Sequence, residues 1–77
     1  MTDEVYTEIE AIRPQLQFSE ATALDALIYK GQWWSDENSK GLDACIERAK
    51  SLGYGRAAAW IMMERAMLGG IRPSTHL

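Results

Sequence analysis

Hydrophobic positions recur along the chain at helical rather than strand spacing, in four runs separated by turn-forming residues. In the first, Val5, Ile9 and Ile12 fall at i, i+4 and i+7 behind a capping residue, Thr2 or Asp3, and Leu16 would continue the stripe. Pro14 interrupts it, because proline has no N–H to donate and disfavours helical geometry at the residue before it, Arg13. A helix over residues 3–13 should therefore stop or kink there, with residues 15–18 as an extended connector and Leu16 and Phe18 turned inward.

The second run predicts a helix over residues 20–30. Ser19 is its expected N-cap and Glu20 places a negative charge at the positive end of the helix dipole. Ala21, Leu24, Leu27 and Ile28 line one side, Thr22, Asp25 and Tyr29 face away, and Gly31 is the expected stop. Residues 31–41 have the turn formers of a loop together with two adjacent tryptophans, Trp33 and Trp34. Neighbours on a regular backbone point in different directions, so one of the two should plug the core and the other lie at the surface.

The third helix, expected over residues 36–52, can be capped by Ser35 or by Asn38. Ser35 offers the better first turn, with Asp36 and Glu37, but it places Gly41 inside the helix at a cost of about 1 kcal/mol relative to alanine. Leu42, Cys45, Ile46, Ala49 and Leu52 form a narrow apolar arc, and Asp43, Glu47, Arg48 and Lys50 take the wet side. Gly53 ends this helix, and Tyr54 with Gly55 turns the chain into a fourth over residues 55–68. Charge enters that last helix only at Arg56, Glu64 and Arg65. Tyr54, Ala57, Ala58, Ile61 and Leu68 share one side of it, while Trp60, Met63 and Met67 make a second apolar stripe. Residues 69–77 read as a loose tail.

The pattern predicts an all-α fold: one domain built as a small four-helix bundle of orthogonal or irregular packing, its last two helices forming a helical hairpin. With 77 residues there is material for one core. Three short helices with narrow apolar faces can cover one broad side of the fourth, so the first stripe is expected to be core and the second a contact surface. Methionine suits surfaces that adapt to a partner, and tryptophan is enriched at binding hot spots.

Charge adds an asymmetry. Residues 1–47 hold ten acids and three bases, a net of −7, whereas residues 48–77 hold five bases and one acid, a net of +4. Such halves attract, either within one fold or between two chains. Candidate chemistry is sparse. Cys45 is the only cysteine and His76 the only histidine, so no disulfide within the chain and no zinc site are expected. The i, i+4 acid pairs Glu4 with Glu8 and Asp43 with Glu47 lie on expected wet faces, away from any cleft that would shift them for acid–base work. The GYG segment lacks the lysine and spacing of a phosphate loop.

Neither enzymatic activity, a cofactor nor a bound metal is therefore expected. The acidic N-terminal segment has no apolar run that would read as a signal peptide, and no segment is expected to cross a membrane, so a cytoplasmic protein is expected. The expected function is that of a small adaptor, regulator or inhibitor, such as a phage-encoded inhibitor of a bacterial protein. It would bind another chain, either its own copy in a dimer or a host protein, through Trp33, Trp34, Trp60, Met63 and Met67. The alternative is a helix-turn-helix-like DNA-binding regulator using residues 48–65, with Arg48, Lys50 and Arg56 toward the duplex. The apolar outward positions and Glu64 speak against that alternative, because a recognition helix must offer polar groups to base edges.

Overall fold

In the computed structural model, residues 1–30 and 35–69 are described. They form four α-helices: α1 (Asp3–Ile12), α2 (Phe18–Lys30), α3 (Asp36–Ser51) and α4 (Gly55–Gly69). The fold is a small helical bundle. Its centre is α3, which packs most extensively on α2, next on α4, and touches α1; the remaining large contact joins α1 to α4. The last two helices are neighbours, as the short Gly53–Tyr54 link requires.

The first helix starts where Thr2 accepts a hydrogen bond from the N–H of Val5, and it stops before Pro14. The proline sits in a single 3-10 turn, Arg13–Gln15, from which Leu16 leaves in extended geometry. Arg13 fixes this corner, because its guanidinium donates to Glu10 on its own helix and, at 2.6 Å, to Asp25 on α2. The hydrogen bond to Asp25 chiefly raises the Arg13 pKa, and the pair ties the end of α1 to the middle of α2.

Ser19 does not cap α2. The helix begins one residue before it, and Gln17 takes the cap position: its carbonyl accepts from the N–H of Ala21, and its own N–H donates to Glu20 Oε1. This is half of a capping box without the usual hydroxyl residue. The shift carries Phe18 into the first turn, where it is 89% exposed rather than inward, while Leu16 does pack against the core.

Ser35 caps α3, accepting from the N–H of Asn38. Gly41 therefore lies inside the helix, and it is buried against α2. At the other end, the N–H of Tyr54 donates to the carbonyl of Ala49 and that of Gly53 to Lys50, with Gly53 at φ 84°. These two bonds define a Schellman turn, which needs a left-handed residue and hence glycine. Leu52, the C-cap residue of α3 before this turn, lies at the edge of the apolar arc and is exposed rather than part of the core.

The core comprises Val5, Ile9 and Ile12 from α1, Ala23, Leu24 and Leu27 from α2, Leu42, Cys45, Ile46 and Ala49 from α3, and Ala57, Ala58 and Ile61 from α4. Ile28, Tyr54 and Leu68 pack against it half-buried. No buried polar or charged side chain occurs among the described residues. No helix among them is long and apolar enough to cross a membrane.

Candidate protein-interaction surface

Among the described residues, helix α4 packs chiefly against α1 and α3. Ala57, Ala58 and Ile61 are its buried contacts, with Leu68 half-buried below them. Polar clamps fix its rotation about its own axis. Glu8 of α1 caps the first turn, its Oε1 accepting from the N–H of Ala57 at 2.9 Å. Arg56 lies between Glu8 and Glu4, with N···O distances of 3.6 and 4.0 Å. Farther along, Arg65 donates to the Asp43 carboxylate and, at 3.0 Å, to the Ser39 hydroxyl, both on α3.

The opposed charges of the two halves of the chain thus meet inside one fold. Arg56 and Arg65 from the basic half face Glu4, Glu8 and Asp43 from the acidic half, and Lys50 lies 3.8 Å from Glu47.

With these clamps set, the side of α4 turned away from α1 and α3 carries Ala59, Met62, Met63, Ala66 and Met67, all exposed. Met62, Met63 and Met67 are 48%, 53% and 63% accessible, and no charged residue lies on this arc from Ala59 to Met67. Of the expected interface residues, Met63 and Met67 are therefore at the surface together. Trp60 is half-buried and packs on the core at the edge of the same face. Trp33, Trp34 and His76 lie outside the described residues.

Met62 is the member of this face that the sequence reading missed. Helical projection places it nearer the core stripe than Met63, so it was not separable from buried neighbours by spacing. Ala59 and Ala66, one heptad apart at the centre of the arc, carry the signal that could have found it. Small residues there fit either a buried or an exposed line, and only the rotation imposed by Glu8 and Arg65 decides between them.

The residues of the alternative nucleic-acid reading are separated in their surroundings. Arg48 is exposed along α3, Lys50 is near Glu47, and Arg56 is flanked by two carboxylates. The positive end of the α4 dipole, where a phosphate would sit, is taken by Glu8.

Other sites hold less chemistry. A shallow groove of about 260 Å³ runs between α2 and α3, lined by Ser19, Glu20, Glu37, Lys40, Gly41 and Ala44. It mixes acid and base, and no buried polar group points into it among the described residues. Cys45 lies beneath it, fully buried, with its thiol donating to the carbonyl of Glu20 at 3.4 Å. Burial, reinforced by the Glu20 charge, pushes this thiol up to about 12, so it stays protonated and unreactive at neutral pH. No three metal-ligating side chains converge among the described residues.

No protein-family model, curated protein or solved structure matches the chain.

Proposed function

We propose that this protein is a non-enzymatic interaction module that acts by occupying a partner's surface with the outer face of α4. The observation that carries the reading is the uncharged exposed arc of Ala59, Met62, Met63, Ala66 and Met67 on a helix otherwise clamped by ion pairs. Exposed apolar side chains scattered singly are ordinary, but three methionines grouped on one helix face are not scattered. Their flexible thioethers can fill an uneven partner surface, and Trp60 at the margin supplies an aromatic anchor. Adaptor, regulator and inhibitor roles all use such a surface, and affinity would come from these few anchors rather than from total area.

The nucleic-acid alternative has less in its favour. A duplex would have to displace Glu4 and Glu8 from Arg56, and it would meet methionines rather than polar groups along the helix.

The test is the Met63→Glu chain. Met63 contributes to no described core contact, so the variant should keep its helix content and melting temperature while losing partner binding. If Met63→Glu unfolds the chain, or binds every partner as well as the unmodified protein, the face is not an interface. Salt-sensitive binding to duplex DNA that is lost in Arg56→Ala would favour the alternative.

A further inference from the structure

We propose that the outer face of α4 is an oxidation-responsive modification site, at which hydrogen peroxide converts the thioethers of Met62, Met63 and Met67 to sulfoxides and makes the face polar while the fold stays intact. The inference rests on reading that face as an interaction surface, and it adds how the surface is turned off.

The placement of sulfur in the fold carries the proposal. The chain has four methionines and one cysteine. Every thioether is outside: Met1, Met62, Met63 and Met67 are 53%, 48%, 53% and 63% accessible. The thiol is inside, since Cys45 is fully buried on α3 and bonded to the Glu20 carbonyl of α2. None of the buried core residues is a methionine, so oxygen added to a thioether displaces nothing in the packing. Three of the four thioethers stand on one uncharged arc with Ala59 and Ala66, and their oxidation therefore alters a single surface.

In the reaction, a sulfur lone pair attacks one oxygen of the peroxide and the O–O bond breaks. The sulfur gives up two electrons and keeps that oxygen as an S=O group, while the other oxygen leaves as water with both of the peroxide's protons. A thioether has no proton to lose, so access sets its rate, whereas a thiol must ionise first. Burial both shields Cys45 and keeps it protonated, so peroxide at neutral pH spares it. The reverse step uses two thiols, which become a disulfide as the sulfoxide oxygen leaves as water; sulfoxide reductases catalyse it, and exposed sulfoxides are open to them.

A sulfoxide oxygen is a hydrogen-bond acceptor, and burying it without a donor is costly. The arc of alanines and methionines offers the new oxygens no side-chain donor of its own. An apolar surface pressed against the oxidised face would therefore leave them unpaired.

Hydrogen peroxide at neutral pH, followed by peptide mass mapping, should add one oxygen at each of Met62, Met63 and Met67 at rates within about threefold of those in the urea-unfolded chain, because exposure sets the rate. Cys45 should stay unmodified in the folded chain. Helix content and melting temperature should not change, and the oxidised chain should elute earlier from a phenyl-agarose column. Treatment with the two sulfoxide reductases and dithiothreitol should restore the retention. A chain carrying Met62→Leu, Met63→Leu and Met67→Leu should keep its retention through the same oxidation. Protection of the three methionines by roughly tenfold or more in the folded chain would overturn the proposal, because exposure would then not set the rate. Unfolding in step with oxidation, unchanged retention of the oxidised chain, or an equal loss of retention in the triply substituted chain would overturn it too. None of these readouts needs a partner. The interface reading fails separately, through a partner that binds the unmodified and Met63→Glu chains equally well.

Discussion

A Cβ placed on Gly41 would lie 2.6 Å from the Cβ of Ala23, so α3 crosses α2 with room for no side chain at that point. Replacing Gly41 with alanine should gain about 1 kcal/mol in helix propensity. The overlap with Ala23, and a second approach of 3.3 Å to the carbonyl of Ser19, should outweigh it. We expect a net loss of about 1–2 kcal/mol, because overpacking a close helix crossing displaces backbone as well as side chains. Urea denaturation monitored by circular dichroism measures this. Gly55→Ala is the control, since its Cβ meets nothing within 4 Å and its backbone is not left-handed, and it should be neutral or slightly stabilising.

The Glu8 carboxylate reaches from α1 to the first turn of α4, and two substitutions separate its hydrogen bond from its charge. Glu8→Ala removes the acceptor for the Ala57 N–H and half of the Arg56 clamp, and should lower stability by about 1–2 kcal/mol. Glu8→Gln keeps an acceptor oxygen and should lose less than about 1 kcal/mol, since Arg56 is mostly exposed and such pairs are weak. Equal losses in the two variants would mean that charge, not the cap, holds α4 to α1.

Cys45 gives the fold a dependence on alkaline pH. Its thiol is raised from an ordinary value of 9.0 to about 12 in the folded chain. Below pH 9 both states are protonated and the thiol has no effect. Between about 9 and 12 the unfolded chain has lost the proton that the folded chain keeps, so stability falls as pH rises. Denaturation midpoints should decline across that window, and Cys45→Ala, though less stable at neutral pH from lost packing, should show a shallower decline. At pH 8, a thiol reagent should react with the folded protein only at the rate of opening.

Most of the fold was legible in the hydrophobic spacing. Val5, Ile9 and Ile12, the Leu42–Cys45–Ile46–Ala49 arc and the Ala58–Ile61 side of α4 are buried as their periodicity predicts. The differences lie at a helix start, at a helix end and inside α2, where Ala23 rather than Ala21 is fully buried, against Gly41 of α3. Phe18 reads as part of an inward-facing connector if Ser19 caps α2, whereas the cap at Gln17 places it in the first turn, facing solvent. Leu52 belongs to the α3 arc by spacing, but it sits at the arc's edge in the last position before the chain turns at Gly53, and it is exposed.

The interaction face was legible in part. Met63 and Met67 stood out because spacing set them apart from the Ala58–Ile61 side. The half-buried setting of Trp60 and the exposure of Met62 depend instead on long-range contacts, Glu8 with Ala57 and Arg65 with Asp43, that join residues far apart in sequence. Those contacts have no periodic signature. The Gly41–Ala23 crossing was hidden for the same reason: a glycine inside a helix registers as a propensity cost until the opposing helix is in place.

The central claim is the proposal that the outer face of α4 is an interaction surface, and the Met63→Glu chain tests it most directly. Met63 is 53% exposed, so the variant should keep the helix content and melting temperature of the unmodified chain while losing binding to a partner that the unmodified chain retains. A Met63→Glu chain that unfolds, or that binds such a partner as well as the unmodified chain does, would contradict the claim.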